Sequence, residues 1–149
     1  MIPGRPTTIR SVLFVCAGNT CRSPMAEAVA RQLLDSGVRV ESAGISADDG
    51  ASAARDAIRA MKERGLDISD HRSRSVSALN LLDFDLLVAF TPAIAQALRH
   101  QGADASRLTE LDVLDPYGKG LDVYRATVLA IEKDLRTLFR VRPDVPEQE

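Results

Sequence analysis

The sequence predicts one α/β domain, a four-stranded, parallel, twisted sheet with helices on both faces, which makes three layers. Short apolar runs alternate with amphipathic segments along the chain, and this alternation is typical of a parallel sheet built from βαβ units. The 149 residues, of which 45% are hydrophobic, suffice for a single core. We therefore expect one domain at 11–140, a flexible leader at 1–10 and a disordered tail at 141–149.

The individual elements follow from apolar spacing and from the residues that start and stop helices. Strands are expected at 12–15, 39–42, 85–90 and, more weakly, 107–111. Helices are expected at 23–35, at 53–64, at 77–82, from position 91 to just before position 102, and at 121–140. Because parallel strands end at one edge of a sheet, the residues that follow these strands should share a rim. These residues are Cys16, Ser42, Thr91 and Asp115.

A seven-residue loop, 16–22, joins the first strand to the first helix. Ser23 is a good N-cap and Pro24 suits the first helical position, so the helix is expected to begin there. A loop between a strand and a helix N-terminus binds phosphate, because backbone N–H groups converge there and the helix dipole favours an anion. Gly18 and Asn19 tolerate the left-handed backbone that such a loop requires.

Two reactive side chains stand at the ends of this loop. Cys16 leaves the strand and should face the loop N–H groups and the guanidinium of Arg22, surroundings that stabilise a thiolate. Arg22 can bind two phosphate oxygens at once, and Ser23 could hydrogen-bond the sulfur. The pattern favours a nucleophilic thiolate beneath a bound phosphoryl group. The alternative is a buried structural cysteine beside a surface arginine.

The run C-A-G-N-T-C-R-S-P-M-A-E at 16–27 resembles the signature loop of the low-molecular-weight protein tyrosine phosphatase family. That family includes bacterial protein arginine phosphatases and thioredoxin-coupled arsenate reductases. The likeness continues through S-A-G at 42–44, D-H-R at 70–72 and D-P-Y at 115–117. The resemblance implies the fold of these phosphatases and hydrolysis through a cysteinyl-phosphate. It also implies a phosphate-binding loop, whose members beside the two reactive residues are Ala17, Gly18, Asn19, Thr20, Cys21 and Ser23.

Asp115 is the predicted general acid and base. It lies in a loop after the last strand, where Pro116 stiffens the backbone. The resemblance implies that Asp115 protonates the leaving oxygen or nitrogen and then activates water against the phosphoenzyme. Tyr117 is expected to line the cleft and to stack on a planar substrate group. The alternative for Asp115 is a turn-forming Asp-Pro, and we interpret the nearby Asp112 as a solvated loop residue.

Three further residues are expected to support the loop or to regulate it. The resemblance implies that Ser42 and His71 hold the side chain of Asn19 and so fix the strained loop. Cys21 has two interpretations: a small buried residue, or a partner that traps oxidised Cys16 as a reversible disulfide. The family precedent favours the second interpretation.

Composition excludes several other functions. A net charge of −2, with no basic run and no aromatic-rich patch, argues against nucleic-acid binding. No apolar stretch approaches the roughly 20 residues of a membrane span, and the N-terminus lacks the pattern of a signal peptide. We therefore expect a cytoplasmic protein. Two cysteines and two histidines lack the spacing of a zinc site. No metal is expected, because Arg22 and the loop amides already neutralise the phosphate charge, and no cofactor is expected.

The expected partner is a phosphorylated protein substrate, acted on by a monomer. A phosphate-binding module without turnover is less favoured, because both a nucleophile and an acid are present. Arsenate reduction through a thioredoxin-coupled relay needs further cysteines, and none occurs after Cys21. That branch also usually has glutamine where this chain has Pro24.

The choice between phosphoarginine and phosphotyrosine depends on two positions. Thr20 stands where tyrosine-specific relatives commonly have an aliphatic residue, and the arginine phosphatases resemble this chain in having threonine. Tyr117 is followed by Gly118, whereas tyrosine-directed relatives often have two consecutive aromatic residues there. Tyr117 itself departs from the arginine branch, which usually has phenylalanine. These features slightly favour phosphoarginine as the substrate, with phosphotyrosine as the alternative.

Overall fold

The computed structural model describes residues 9–141, in which strands and helices alternate. The strands are β1 (Ser11–Cys16), β2 (Arg39–Gly44), β3 (Leu86–Ala89) and β4 (Leu108–Glu110). The α-helices are α1 (Arg22–Leu33), α2 (Arg55–Lys62), α3 (Pro92–His100) and α4 (Leu121–Phe139). Three short 3₁₀ turns complete the set, at Val76–Ala78, Leu81–Asp83 and Ala105–Arg107.

The sheet has the strand order β2-β1-β3-β4, and each neighbouring pair is parallel. The crossover from β1 to β2 runs in the opposite direction to the crossover from β3 to β4. Because such crossovers are right-handed, α1 and α3 lie on opposite faces of the sheet. The α1 helix packs against α4, which also packs against α2, whereas α3 packs against β3 and β4. The predicted α/β fold with helices on both faces is confirmed.

The core is built around β1, whose six residues are all buried. Its central aromatic residue, Phe14, lies 6.2 Å from Phe90 between ring centroids. From one side, Met25, Val29 and the neighbouring alanines of α1 are buried against the sheet. A strand that is buried on both faces has a continuous apolar sequence. For this reason β1 could be predicted accurately. Cys16 ends this rigid strand and is therefore held firmly.

The predicted N-cap of the first helix, Ser23, was wrong by two residues. α1 begins at Arg22, and Cys21 occupies the N-cap position without capping any N–H of the described helix through its side chain. Ser23 does not cap the helix because its hydroxyl is engaged elsewhere, with the sulfur of Cys16 and the amide of Asn19. A local propensity was thus overridden by a tertiary contact.

Two other predicted helices differ from the structure. The second helix is shorter than 53–64, since it spans Arg55–Lys62 and is followed by Gly65 at a φ of 79°. The helix expected at 77–82 is two separate 3₁₀ turns. Leu79 and Asn80 between them have extended backbone, and the Asn80 side chain accepts the N–H of Leu82. Asn and Ser side chains compete in this way with helical hydrogen bonds.

The carboxyl ends of the strands meet at one rim, as predicted. Cys16 pairs with Gly44 at the ends of β1 and β2, and the loops after β3 and β4 leave from the same edge. The leader and the tail fall almost wholly outside the described residues, so both stay predictions. Within residues 9–141, no helix combines the length and the apolar character that a membrane crossing requires.

Candidate active site

The loop between β1 and α1 takes its shape from one strained residue. Asn19 has a φ of 57°, in the left-handed region, which costs a non-glycine residue roughly 1–2 kcal/mol. Gly18 does not have a positive φ, so of the two residues that tolerate left-handed backbone only Asn19 adopts it. The side chain of Asn19 is fully buried, and its contacts explain why the strain is tolerated.

Cys16 is 2% exposed, and its sulfur has two hydrogen-bonding neighbours. The backbone N–H of Asn19 donates to the sulfur at 3.3 Å, and the Ser23 hydroxyl lies 2.9 Å from it. The hydrogen bond expected between Ser23 and the sulfur is therefore present. Both contacts place donors around the position where a thiolate would carry its charge.

The side chain of Asn19 is hydrogen-bonded on both of its terminal atoms. Nδ2 donates to Ser23 at 2.8 Å and to Ser42 at 3.0 Å, and Oδ1 accepts the backbone N–H of Arg74 at 3.0 Å. The expected contact between Ser42 and this side chain is present, and its part in fixing the loop stays a prediction. His71 is different, because its Nε2 contacts the backbone carbonyl of Asn19 at 2.7 Å. A carbonyl oxygen only accepts, so Nε2 carries the hydrogen.

Two members of this network were missed by sequence reasoning. Glu27 accepts the Ser42 hydroxyl at 2.6 Å, and Arg74 donates from its Nε to the Ser42 carbonyl at 3.1 Å. Glu27 lies four residues after Ser23 on α1, so helical spacing could have placed both on one face. Arg74 gave no comparable signal, since its backbone N–H contacts Asn19 from 55 residues along the chain.

Arg22, the first residue of α1, is 4% exposed. Its Nη1 donates to the Val113 carbonyl at 3.1 Å, and its Nη2 lies 3.6 Å from Oδ2 of Asp115. Within residues 9–141, Nε of this guanidinium has no hydrogen-bond partner, although it is buried. An unsatisfied buried donor is costly, and the guanidinium that carries it lines the cavity beside Cys16.

A cavity of about 160 Å³ brings most of the predicted residues together. The loop side of its wall consists of Cys16, Gly18, Thr20, Cys21 and Arg22. Asp115 and Tyr117 complete the lining. Of the other predicted residues, Ala17 is exposed, whereas Asn19, Ser23, Ser42 and His71 support the loop without lining this cavity.

The two residues on the far side of the cavity are open to solvent. The Asp115 side chain is half exposed, and Tyr117 is 70% exposed. The backbone N–H of Tyr117 donates to Oδ1 of Asp115 at 3.1 Å, so the Asp-Pro turn is present as well. The turn directs Oδ2 towards Arg22, and an exposed carboxyl so placed can exchange protons with a substrate and with water.

Cys21 is a free thiol that is 4% exposed, and its sulfur lies 3.2 Å from the Tyr124 hydroxyl. Burial raises the pKa of Cys21, and the hydrogen bond with Tyr124 opposes this shift only in part. Burial and the contact with Cys21 likewise raise the pKa of Tyr124. Cys16 is also a free thiol, so the expected disulfide stays a prediction. Tyr124 was missed, because nothing in the sequence linked it to the loop.

Among residues 9–141, no group of three or more His, Cys, Asp and Glu side chains is placed to hold a metal ion. The positive charge in the site instead comes from Arg22 and from the N-terminal end of α1. The first turn of a helix leaves N–H groups without an intrahelical acceptor, and these favour an anion. The arrangement is chemically suited to a bound phosphoryl group above a thiolate.

Comparison with known proteins agrees with this geometry. The family model of the low molecular weight phosphotyrosine protein phosphatases matches residues 11–147. The chain belongs to this family. A probable low molecular weight protein-tyrosine-phosphatase, EpsP of Ralstonia nicotianae, is 39% identical to this phosphatase, with 84% of this chain and 90% of the relative covered. The protein-arginine-phosphatase of Bacillus subtilis is 34% identical, with 87% and 94% covered.

A solved structure has the same architecture. The YwlE arginine phosphatase, in a cysteine-to-serine form whose active-site serine is phosphorylated, superimposes with a TM-score of 0.78 at 31% identity. The match covers 87% of this chain and 93% of the other. The present phosphatase is therefore a member of a family of cysteine-dependent hydrolases.

Proposed function

We propose that this phosphatase removes phosphate from phosphorylated protein side chains through a covalent intermediate on Cys16. In the first step the thiolate attacks phosphorus and the bond to the leaving oxygen or nitrogen breaks, while Asp115 gives its proton to the leaving atom. In the second step the Asp115 carboxylate takes a proton from water, which attacks the cysteinyl-phosphate. The sulfur leaves as a thiolate that Asn19 N–H and Ser23 stabilise, and inorganic phosphate is released.

One observation carries this proposal. The sulfur of Cys16 accepts the backbone N–H of Asn19 and Cys16 lines a cavity together with Arg22, whose Nε has no partner among residues 9–141. A phosphoryl oxygen in that cavity would satisfy the orphan donor and would place phosphorus above the sulfur. Asp115, 3.6 Å from Arg22, then lies on the leaving-group side.

The experiment compares two carboxylates in one loop. Asp115→Asn should slow hydrolysis roughly 10²–10⁴-fold for leaving groups of high pKa, and much less for p-nitrophenyl phosphate, whose leaving group needs little protonation. Asp112→Asn is the matched control, because Asp112 is exposed and does not line the cavity. Equal losses on good and poor leaving groups would contradict the acid role, and turnover by Cys16→Ser would contradict the nucleophile.

We propose phosphoarginine as the preferred substrate. Thr20 lines the cavity and is partly buried, which puts a threonine rather than an aliphatic side chain in the wall beside Cys16. The half-exposed carboxylate of Asp115 can pair with a guanidinium, an interaction that an aryl group does not offer. A relative 34% identical to this chain is named a protein-arginine-phosphatase, which supports the same choice.

The substrate proposal is tested at Thr20 with two small changes. Thr20→Val keeps the shape and removes the hydroxyl, whereas Thr20→Ser keeps the hydroxyl and removes the methyl group. The kcat/KM ratio for matched phosphoarginine and phosphotyrosine peptides should fall in Thr20→Val and should be retained in Thr20→Ser. A ratio that is equal in all three proteins would contradict the role of Thr20.

Phosphotyrosine is the second candidate. Tyr117 offers an aromatic wall that an aryl phosphate could stack on, and a relative 39% identical to this chain is named a probable protein-tyrosine-phosphatase. A wild-type preference for the phosphotyrosine peptide would decide for this candidate and would leave the chemistry at Cys16 unchanged.

Metal requirement, oligomeric state and location can also be proposed for this enzyme. We propose that no metal or cofactor is needed, because Arg22 and the N-terminus of α1 supply the positive charge that a phosphoryl group requires. Activity should therefore survive incubation with EDTA. We also propose that the enzyme acts in the cytoplasm, because a catalytic thiol has to stay reduced, and that it acts as a monomer. Arsenate reduction stays disfavoured, since the chain has only two cysteines.

A further inference from the structure

A chain of hydrogen bonds joins the carboxylate of Glu27 to the sulfur of Cys16. Ser42 Oγ lies 2.6 Å from Glu27 Oε1, and Asn19 Nδ2 lies 3.0 Å from Ser42 Oγ. The same Asn19 nitrogen lies 2.8 Å from Ser23 Oγ, which lies 2.9 Å from Cys16 Sγ. An ionisable group therefore stands at each end of a largely buried chain of polar side chains.

The direction of these hydrogen bonds is determined by the middle group. Asn19 Oδ1 accepts the backbone N–H of Arg74 at 3.0 Å, which identifies the other terminal atom as the NH2 group. A side-chain NH2 group carries two hydrogens and accepts none. Asn19 therefore donates one hydrogen to Ser42 and the other to Ser23.

Each serine hydroxyl then has one hydrogen left to donate. Glu27 as a carboxylate can only accept, so Ser42 donates to it. Ser23 has two acceptors within reach, the Cys16 sulfur at 2.9 Å and the Ala43 carbonyl at 3.5 Å. The sulfur is the nearer of the two. The network thus directs a hydroxyl hydrogen at the nucleophile.

We propose that Glu27 is a positioning residue for Cys16 and acts through Ser42 and Asn19; this inference rests on the proposed phosphatase function. The carboxylate holds the Ser42 hydrogen away from Asn19 and makes Ser42 Oγ a stronger acceptor, because hydrogen bonds polarise one another along a chain. Asn19 is thereby held with its backbone N–H on the sulfur and its side chain on Ser23.

Arg31 makes this role testable with an isosteric change. Its guanidinium pairs with Oε2 of Glu27, so each carboxylate oxygen faces a donor. In Glu27→Gln the amide has to turn its NH2 group towards either Arg31 or Ser42. Towards Arg31 a donor faces a donor, and towards Ser42 the hydroxyl has to accept a second hydrogen bond while its own hydrogen loses the Glu27 acceptor. When Arg31→Ala is added, the NH2 group can face solvent while the amide oxygen stays on Ser42.

The first test is steady-state hydrolysis of p-nitrophenyl phosphate. Glu27→Gln should lower kcat about tenfold and leave KM within about twofold, because Arg22 and the loop still bind the phosphoryl group. Arg31→Ala alone should leave both constants near those of the wild type. The double variant should recover most of the lost kcat. An unchanged kcat in Glu27→Gln, or a double variant no better than the single one, would overturn the proposal.

The second test does not depend on turnover. Carboxymethylation of Cys16 by iodoacetate at fixed pH, measured in a Cys21→Ser background so that one thiol reacts, reports how well the thiolate is stabilised. Glu27→Gln should slow this reaction severalfold, roughly in line with its effect on kcat, and Arg31→Ala should restore the rate. Equal rates would overturn the proposal.

The expected alkylation pattern without any phosphatase turnover would instead count against the proposed function alone. A thermal melt of each variant checks that it is folded.

Discussion

The two sides of the loop between β1 and α1 differ in burial and in hydrogen bonding. On the supporting side, Asn19 and Ser23 are fully buried and Ser42 is 3% exposed, and all three side chains are hydrogen-bonded. On the substrate side, the Asp115 side chain is half exposed and Tyr117 is 70% exposed. The side chains on the supporting side are hydrogen-bonded to each other within the folded chain. The side chains on the substrate side remain exposed and can contact a ligand.

This difference indicates a division of labour. Groups that hold the thiolate have to be placed before the substrate arrives, and buried, paired side chains achieve that preorganisation. Groups that exchange protons with a leaving group and with water need access to solvent. Substitutions on the supporting side should therefore change kcat and stability together, and substitutions on the substrate side should change KM or leaving-group dependence without changing stability.

Among the residues that support the loop, the largest effect is expected from Asn19→Ala. The change removes both serine contacts and the contact to Arg74, and it leaves a side chain that disfavours the φ of 57°. We expect kcat to fall roughly 100-fold, because small misplacements of reacting groups have effects of that size. The free energy of unfolding, measured by urea denaturation, should fall as well.

Asn19→Gly is the matched control for backbone strain. Glycine loses the same hydrogen bonds but adopts positive φ without penalty. Its kcat should fall as far as in Asn19→Ala, while its free energy of unfolding should remain about 1 kcal/mol higher than that of the alanine variant. A wild-type kcat in either variant would show that the supporting side does not set the chemistry.

The contrast between the two sides also explains what could be predicted from the sequence. The loop, with Cys16, Arg22 and Ser23, was recognisable because a buried strand, small residues and a helix start lie next to each other in the chain. Asp115 was recognisable because it follows a strand and precedes a proline. Local patterns of this kind depend on neighbours in sequence, and the order of strands and helices follows from the same signals.

The hydrogen-bond partners behind the loop could not be predicted in the same way. His71 was expected on the side chain of Asn19 but contacts its carbonyl, and Arg74 and Glu27 were not foreseen. These contacts depend on the register of β2 beside β1 and on the path of the 70–75 segment. Ser23 was misassigned as a helix cap because its tertiary partners outweigh its local propensity.

The second-largest effect on kcat and stability is expected at Gly44, on the supporting side. A Cβ added at Gly44 would lie 2.6 Å from the Ala17 carbonyl oxygen and 3.0 Å from the Asn19 nitrogen, both backbone atoms of the loop. Gly44→Ala should therefore lower the free energy of unfolding by roughly 1–3 kcal/mol and should reduce kcat, because the loop has to shift. This close approach is the physical reason for glycine in the S-A-G segment.

Gly37→Ala is the control for Gly44→Ala. In the part of the chain that the structure describes, a Cβ at Gly37 would meet no atom within 4 Å. Urea denaturation of this variant should give a free energy of unfolding within about 0.5 kcal/mol of the wild type, with an unchanged kcat. If the two glycine variants behave alike, the close packing behind the loop has no energetic importance.

A smaller effect, on KM and not on stability, is expected at Tyr117 on the substrate side. Tyr117→Ala should raise KM for a phosphopeptide about fivefold, since stacking on a planar group contributes roughly 0.5–1.5 kcal/mol. The inhibition constant of inorganic phosphate and the melting temperature should stay unchanged, because the side chain is 70% exposed. Leu114→Ala, an equally exposed neighbour at 66%, should change KM less. A drop in stability or in phosphate affinity would contradict the division between the two sides.

The smallest effect is expected at Glu41, which supports the loop only indirectly. Burial alone would raise the pKa of Glu41, but hydrogen bonds from Arg74 and Arg39 outweigh it and hold this pKa below its ordinary value. Because the folded-state pKa is the lower one, the stabilisation is present above the unfolded pKa of about 4.3. It is lost as the pH falls through the folded-state pKa.

Glu41→Gln should therefore lower the free energy of unfolding at pH 7 by about 1 kcal/mol, and the gap to the wild type should close in acid. Glu110→Gln is the control, because Glu110 pairs with Arg99 at the surface, where ion pairs contribute little. Urea denaturation between pH 3 and pH 7 measures both gaps. A gap that persists at pH 3 would mean that the Glu41 side chain supports the 73–75 segment through packing, and the ion pair with Arg74 would then have no part in holding Asn19.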